Sequence, residues 1–143
     1  VVDLDKEKDM IDYPKAMEPY DFMIVLSEES AKEVKKGHLK KGENTGYLIW
    51  DPSTIKRFRT AKRVKSLSIP VQKIAHEQFG NIVYGNAILF GAFTVISGIF
   101  SEESAIETLK NFVPEKTIDT NLEAFELGKR EAKEFLKKLE EED

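Results

Sequence analysis

The sequence predicts an α/β fold: a three-layer domain on a mainly parallel sheet, with a wholly helical final third. Three observations carry this. Short apolar runs alternate with helix-start signals through the first half; an uncharged nineteen-residue run, Ile82 to Phe100, follows; and a capping sequence opens an amphipathic stretch near the C-terminus. At 143 residues the chain has the length of one domain, spanning 1–143, and can build its own core.

The elements follow in order. Asp21–Ser27 (DFMIVLS) is a short apolar run and reads as a buried strand. Ser27-Glu28-Glu29-Ser30 opens a helix, the serine capping free N–H groups and the glutamates suiting the positive end of the dipole; Gly37 is expected to stop it. Gly42 to Gly46 forms a turn, and Tyr47–Trp50 (YLIW) is the next strand, closed by Asp51-Pro52. Lys65–Ile69 is a third strand ending at Pro70, and Val71–Phe79 is a helix ended by Gly80-Asn81. The run Ile82–Phe100 reads as one helix, and Ser101–Val113 as another that Pro114 terminates. Thr120-Asn121-Leu122-Glu123 is a capping box for the last helix, on which Leu122, Phe125, Ala132, Leu136 and Leu139 fall near one face. Glu140–Asp143 is expected to be a frayed acidic end. Ser-Glu-Glu-Ser-Ala occurs at 27–31 and again at 101–105, but the flanks differ, so the same helix-start chemistry is used twice without a repeat.

The uncharged run is just long enough to cross a bilayer. Against a span stand Asn86, Thr94 and Ser97 within it, glycines at 85, 91 and 98, and an acidic Ser101-Glu102-Glu103 flank with no basic partner. The reading is therefore a buried helix, with no membrane. Because it is apolar all round, it is expected to be enclosed on every side. Small residues at 85, 87, 91, 92 and 98 would admit another backbone, and the cover is expected partly from the chain's own sheet and helices and partly from another subunit.

Composition narrows the function. Hydrophobic residues make up 41% and charged residues 34%, which excludes a disordered chain. Lys plus Arg is 22 against 26 Asp plus Glu, a net charge of −4, which argues against a nucleic-acid binder. There is no cysteine, so disulfides, thiolate zinc sites, cysteine-held iron–sulfur clusters and cysteine nucleophiles are all excluded within the chain, as fits a cytoplasmic location. Val1–Met10 is acidic and polar and forms no signal peptide; with Val1 in place of Met, the natural beginning is expected to lie upstream. His38 and His76 belong to no metal-ligand spacing and suit surface or helix-end roles. No nucleophile elbow, phosphate-binding loop or dinucleotide fingerprint is present, and helix capping explains the paired glutamates. No catalytic residue and no metal ligand is assigned.

One charge cluster stands out. Between Ile55 and Lys65 lie Lys56, Arg57, Arg59, Lys62, Arg63 and Lys65, with no acidic residue, in a chain that is acidic overall. Such segregation is common on solvated loops. The functional alternative is an anion contact, to a phosphorylated cofactor or an acidic partner surface.

A family resemblance emerges from several short pieces in order. Ile69-Pro70-Val71-Gln72-Lys73-Ile74-Ala75, then Gly80-Asn81, Asn86 and Leu89-Phe90-Gly91-Ala92, resembles the pattern of the gamma subunit or gamma domain of 2-oxoacid:ferredoxin oxidoreductases. Ile11-Asp12-Tyr13-Pro14, Ser101-Glu102-Glu103 and Asn121-Leu122-x-Ala124-Phe125-x-x-Gly128 are similar to the same family's segments. The family's glycine-rich N-terminal segment is not among these residues, so the chain looks like the C-terminal two thirds of a gamma domain. The resemblance implies a three-layer gamma-type fold and a non-catalytic subunit of an enzyme converting a 2-oxoacid and coenzyme A to acyl-CoA and CO2, with electrons passed to ferredoxin. It implies alpha, beta and cluster-bearing delta subunits as partners, which hold thiamine diphosphate and iron–sulfur clusters, and no cofactor held by this chain alone. It also gives Pro70, Asn81, Asn86, Gly91 and Ala92 structural or interface roles, and would turn Lys56, Arg57, Arg59, Lys62 and Arg63 toward coenzyme A phosphates. A stand-alone α/β ligand-binding or regulatory module, without enzyme partners, is the other reading.

Overall fold

The computed structural model describes residues 18–35, 37–41, 45–58 and 64–142. The acidic start, the Ile11–Pro14 motif, most of the Gly42–Gly46 turn, Arg59, Lys62, Arg63 and Asp143 lie outside these ranges.

Three strands, β1 (Phe22–Val25), β2 (Tyr47–Trp50) and β3 (Lys65–Ser68), form a parallel sheet in the order β1-β2-β3. Phe22, Tyr47 and Lys65 stand in one row of the register and Val25, Trp50 and Ser68 in the last. Successive right-handed crossovers place both connections on one face of such a sheet. That face carries Val25, Leu39, Leu48 and Ile55, packed beneath Ala31, Val34 and Phe58. The opposite face presents Ile49 and Leu67 to a helical layer made of α2 (Val71–Phe79), α3 (Gly85–Ser97), α4 (Glu102–Phe112) and α5 (Ile118–Glu142). The result is three layers, as expected, with the larger core under the helices.

The repeated pentapeptide does the same job in both places. At α1 (Glu28–Glu33) the Ser30 N–H donates to Ser27 Oγ at 3.1 Å, and at α4 the Ser104 N–H donates to Ser101 Oγ at 3.2 Å. Three boundaries differ from expectation. Helix α1 ends at Glu33, where Val34 turns extended, and Gly37 with φ of 124° belongs to the following turn. Helix α5 begins at Ile118, so Thr120 lies inside it and the capping-box reading fails. Pro114 opens a short 3-10 turn, Glu115–Thr117, whose last carbonyls lead straight into α5, and Asn121 Nδ2 donates to the Thr117 carbonyl at 2.9 Å. At its far end α5 is helical through Glu142, so Glu140 and Glu141 continue the helix.

The run Ile82–Phe100 is not one helix. Gly80 adopts a left-handed φ of 75° to end α2, and Asn81 Oδ1 accepts from the Val83 N–H at 3.0 Å to start a 3-10 turn over Ile82–Tyr84. Helix α3 then holds 13 residues and stops at Gly98, with φ of 57°. At 1.5 Å per residue it is about 20 Å long, well short of a hydrocarbon core of about 30 Å. Among the described residues no helix is long and apolar enough to cross a membrane. Enclosure on every side holds for the middle of α3 only: Ile82 and Val83, just ahead of it, are 58% and 56% exposed, and Asn86 is exposed.

The centre of α3 is gripped by α5. A Cβ built on Gly91 would lie 2.0 Å from the Phe125 carbonyl oxygen, and one on Gly128 would lie 1.8 Å from the Ile88 carbonyl oxygen. Each helix thus sets a glycine against the carbonyl that precedes the other's glycine by one turn, so the two backbones touch in an antiparallel crossing. Ala92 and Ala124, both fully buried, fill the remaining gap. The small residues do admit another backbone, and at Gly91 it is the chain's own. A row of rings ties this crossing to the sheet: Phe125 meets Phe90 at 5.6 Å, Phe90 meets Phe100, Phe100 meets Phe93, and Phe93 stands edge-on to Phe22 at 5.4 Å.

A single buried cation clips α4 to α5. Lys129, 4% exposed, donates to Glu102 in the first turn of α4 and to Glu126 at 2.9 Å. The hydrogen bond from Lys129, aided by the charges of Lys129 and Lys133, holds the Glu102 carboxyl below its usual range against an opposing effect of desolvation. Burial would push the Lys129 ammonium down, but the hydrogen bonds and charges of Glu102 and Glu126 together raise it.

Two outcomes follow from this packing. Gly91→Ala and Gly128→Ala should each cost about 3 kcal/mol, since backbone must move to admit the methyl, whereas Lys133→Ala on the exposed face of α5 should stay within about 0.5 kcal/mol; denaturant midpoints decide, and unchanged midpoints for both glycine variants would refute the crossing. The Glu102 contribution is complete above an ordinary glutamate pKa of about 4.3 and is lost as pH falls through the lowered native value. The wild-type chain should therefore lose more stability than Lys129→Met between about pH 5 and pH 2, as read by melting temperature across that range.

Candidate functional site

Open parallel sheets bind ligands beyond the carboxyl ends of their strands, at the point where strand order reverses, and the order β1-β2-β3 has no such reversal among the described strands. Here the carboxyl edge is organised by one acid. Asp51 follows β2 directly and is 0% exposed. One carboxylate oxygen accepts from the Ser53 N–H at 2.7 Å and from Ser53 Oγ at 2.5 Å; the other accepts from the Gln72 N–H, in the first turn of α2, at 2.9 Å. Its carbonyl takes the N–H groups of Thr54 and Ile55, so residues 51–55 close into a compact turn with the Ile55 side chain sealed beneath it. Thr54 Oγ1 then donates to the Leu26 carbonyl at 2.8 Å, and the Lys56 N–H donates to Glu28 Oε2 at 3.1 Å, which ties the turn to the end of β1 and the start of α1.

Lys56 and Arg57 leave this turn side by side and exposed, at the carboxyl edge of β1 and β2. Phe58, the next residue, folds back onto the Trp50 ring at 5.5 Å. Lys65 is elsewhere. It begins β3 at the opposite edge of the sheet, with its ammonium 5.0 Å from the centre of the Tyr47 ring. There it lines an open cleft of about 490 Å³ with Asp21, Phe22, Lys40, Thr45 and Tyr47, in which Lys40 pairs with Asp21 at 2.6 Å.

Most of the other residues singled out from the sequence lie in helix caps or helix contacts. Pro70 caps α2 through its backbone, Asn81 caps the 3-10 turn, Asn86 sits exposed in the first turn of α3, and Gly91 and Ala92 form the α5 crossing on the face of the sheet opposite Phe58. His38 Nδ1 accepts from the Lys35 N–H and its Nε2 lies 3.2 Å from Glu18, while His76 is exposed in the last turn of α2. Among the described residues no cluster of three His, Asp or Glu side chains is placed to hold a metal ion. Sequence reasoning passed over Asp51, taking it as half of a strand terminator. The available signal was an acid directly before proline, ahead of Ser and Thr, the pattern of a side-chain-capped turn.

The fold and site together define a parallel α/β domain whose described residues carry Lys56 and Arg57 at the carboxyl edge of the sheet. The chain belongs to the pyruvate ferredoxin/flavodoxin oxidoreductase family, whose profile matches residues 5–131. It is 36% identical over 124 residues to the 2-oxoglutarate synthase subunit KorC of Methanothermobacter thermautotrophicus, covering 83% of this chain and 63% of that one. The KorC subunit of Methanocaldococcus jannaschii is 31% identical over 126 residues, covering 87% and 65%. The indolepyruvate oxidoreductase subunit IorB of Thermococcus kodakarensis is 45% identical over 73 residues, covering 50% and 36%. The chain thus spans a little under two thirds of the KorC relatives. The gamma subunit of a keto/oxoacid ferredoxin oxidoreductase from Geobacter sulfurreducens shares the fold with a TM-score of 0.67 at 21% identity, over 80% of this chain and 64% of that one. So does the 2-oxoglutarate:ferredoxin oxidoreductase of Magnetococcus marinus, with a TM-score of 0.67 at 24% identity, over 80% of this chain and 20% of that one.

Proposed function

We propose that this chain, as one gamma-type domain, is a non-catalytic component of a 2-oxoacid:ferredoxin oxidoreductase that converts a 2-oxoacid and coenzyme A to acyl-CoA and CO2. The observation that carries the reading is its match, along more than four fifths of its length, to KorC subunits of 2-oxoglutarate synthases. Alpha, beta and delta subunits are the partners in this reading, ferredoxin takes the electrons, and the assembly is cytoplasmic.

The chemistry of the side chains divides the labour. A chain without cysteine offers no thiolate to an iron–sulfur cluster, so electron transfer is assigned to partner subunits. Thiamine diphosphate, which supplies the carbanion chemistry in such enzymes, is likewise assigned to them. The phosphates of coenzyme A fit what this chain does offer. Lys56 and Arg57 at the carboxyl edge of the sheet, followed in sequence by Arg59, Lys62 and Arg63, supply charge and directional N–H donors to an anion. Their work is to bind and orient the carrier while the partner subunits perform the bond changes.

Two measurements test this. Expressed with its partner subunits, the chain should co-elute with them on a sizing column, while the isolated chain should show no turnover of any 2-oxoacid with coenzyme A and an artificial electron acceptor; a monodisperse monomer that ignores those subunits would favour the stand-alone module. In the assembled enzyme, Arg57→Ser, Arg59→Ser and Arg63→Ser combined should raise the KM for coenzyme A about tenfold or more, with each lost charged contact contributing roughly 1 kcal/mol, and leave the KM for the 2-oxoacid alone. Unchanged values for both would remove the anion site.

A further inference from the structure

We propose that Asp51 is the positioning residue of Lys56 and Arg57: its buried carboxylate holds the turn that carries them, and thereby sets the affinity of this edge for the phosphates of coenzyme A. The inference rests on the anion reading above and adds to it a residue that touches no ligand.

The argument begins with burial. An ionised carboxylate removed from water is costly unless hydrogen bonds replace its hydration. Asp51, 0% exposed, receives three, from Ser53 N–H, Ser53 Oγ and Gln72 N–H. The turn is held as well by the Asp51 carbonyl, which accepts from the Thr54 and Ile55 N–H groups, by the buried Ile55 side chain, and by two surface bonds, Thr54 Oγ1 to Leu26 and Lys56 N–H to Glu28, where water competes for each group. Bonds made out of water are the stronger ones. The Asp51 carboxylate therefore adds a tie that these lack: it joins Ser53 to the Gln72 N–H, and so gives the turn a constant place relative to α2. A flexible basic loop would have to give up conformational freedom when it closed on an anion; a turn already held in position has less to lose.

The sign of the effect separates this role from the alternatives. Asp51→Asn removes a negative charge near a cationic edge, so a field effect alone would tighten anion binding. A fold defect alone would lower the amount of active enzyme, and hence kcat, without moving KM. Loss of positioning weakens anion binding in the enzyme that remains. The assembled enzyme carrying Asp51→Asn should show a KM for coenzyme A raised about five- to tenfold, a KM for the 2-oxoacid unchanged and kcat largely kept. Ser53→Ala, at an exposed residue, removes only the hydroxyl bond and should raise the same KM about twofold with no loss of melting temperature. A coenzyme A KM that is unchanged or lowered in both variants would overturn the proposal. The triple arginine variant tells the two failures apart: if it raises the KM and the Asp51 and Ser53 variants do not, positioning is wrong and the anion site stands; if it does not, both fall.

Discussion

Two helices of this domain meet with no side chain between them, and the rest of the structure is arranged around that contact. Gly91 faces the Phe125 carbonyl and Gly128 faces the Ile88 carbonyl, each at a separation no Cβ could occupy. The contact fixes α3 relative to α5, and α3 in turn positions α2, because Gly85 admits Val71 and Ala75 against its own backbone. The first turn of α2 supplies the Gln72 N–H that Asp51 accepts. A continuous set of packed elements therefore runs from the glycine crossing to the basic turn at the carboxyl edge of the sheet, and the geometry of the candidate site is inherited from helices that contribute no residue to it.

Two buried charges punctuate this scaffold, and both sit at helix beginnings. Asp51 satisfies α2 directly through a backbone N–H, and Lys129 holds the glutamate that opens α4. In each case the charge is fully partnered, so the desolvation cost of burial is offset locally. The arrangement gives the loops before α2 and α4 one geometry each. Among the described residues, the buried ionic groups of a domain with 34% charged residues are Asp51 and Lys129, and each anchors the first turn of a helix.

What could be read from the sequence was what depends on near neighbours. The strands at Tyr47–Trp50 and Lys65–Ser68, the helix Val71–Phe79 and the two serine caps are set by residues within a few positions of one another. The errors at the helix boundaries were local, as where the Asn81 side chain starts a 3-10 turn, but those at the site and the crossing came from partners distant in sequence. Asp51 reads as a strand end until Gln72 is brought to it, and the glycine at 91 reads as a site for any backbone until Gly128 is seen opposite. The basic stretch shows the topological form of the same problem. Consecutive parallel strands require the chain to travel back along the full length of the sheet, so the two ends of that connection cannot occupy one place. Lys56 and Arg57 mark its departure from one edge, and Lys65 its arrival at the other.

The order of elements along the chain has a consequence for how the protein is made. All three strands precede the four helices that cover one face of the sheet. During synthesis at about 5–20 residues per second, the roughly 75 residues after β3 take on the order of 4–15 s to emerge. Throughout that interval Ile49 and Leu67, and the ring of Phe22 that later meets Phe93, have no native cover. The crossing that locks the cover in place is completed only when Gly128 has emerged, so one face of the nascent sheet stays incompletely covered until that point.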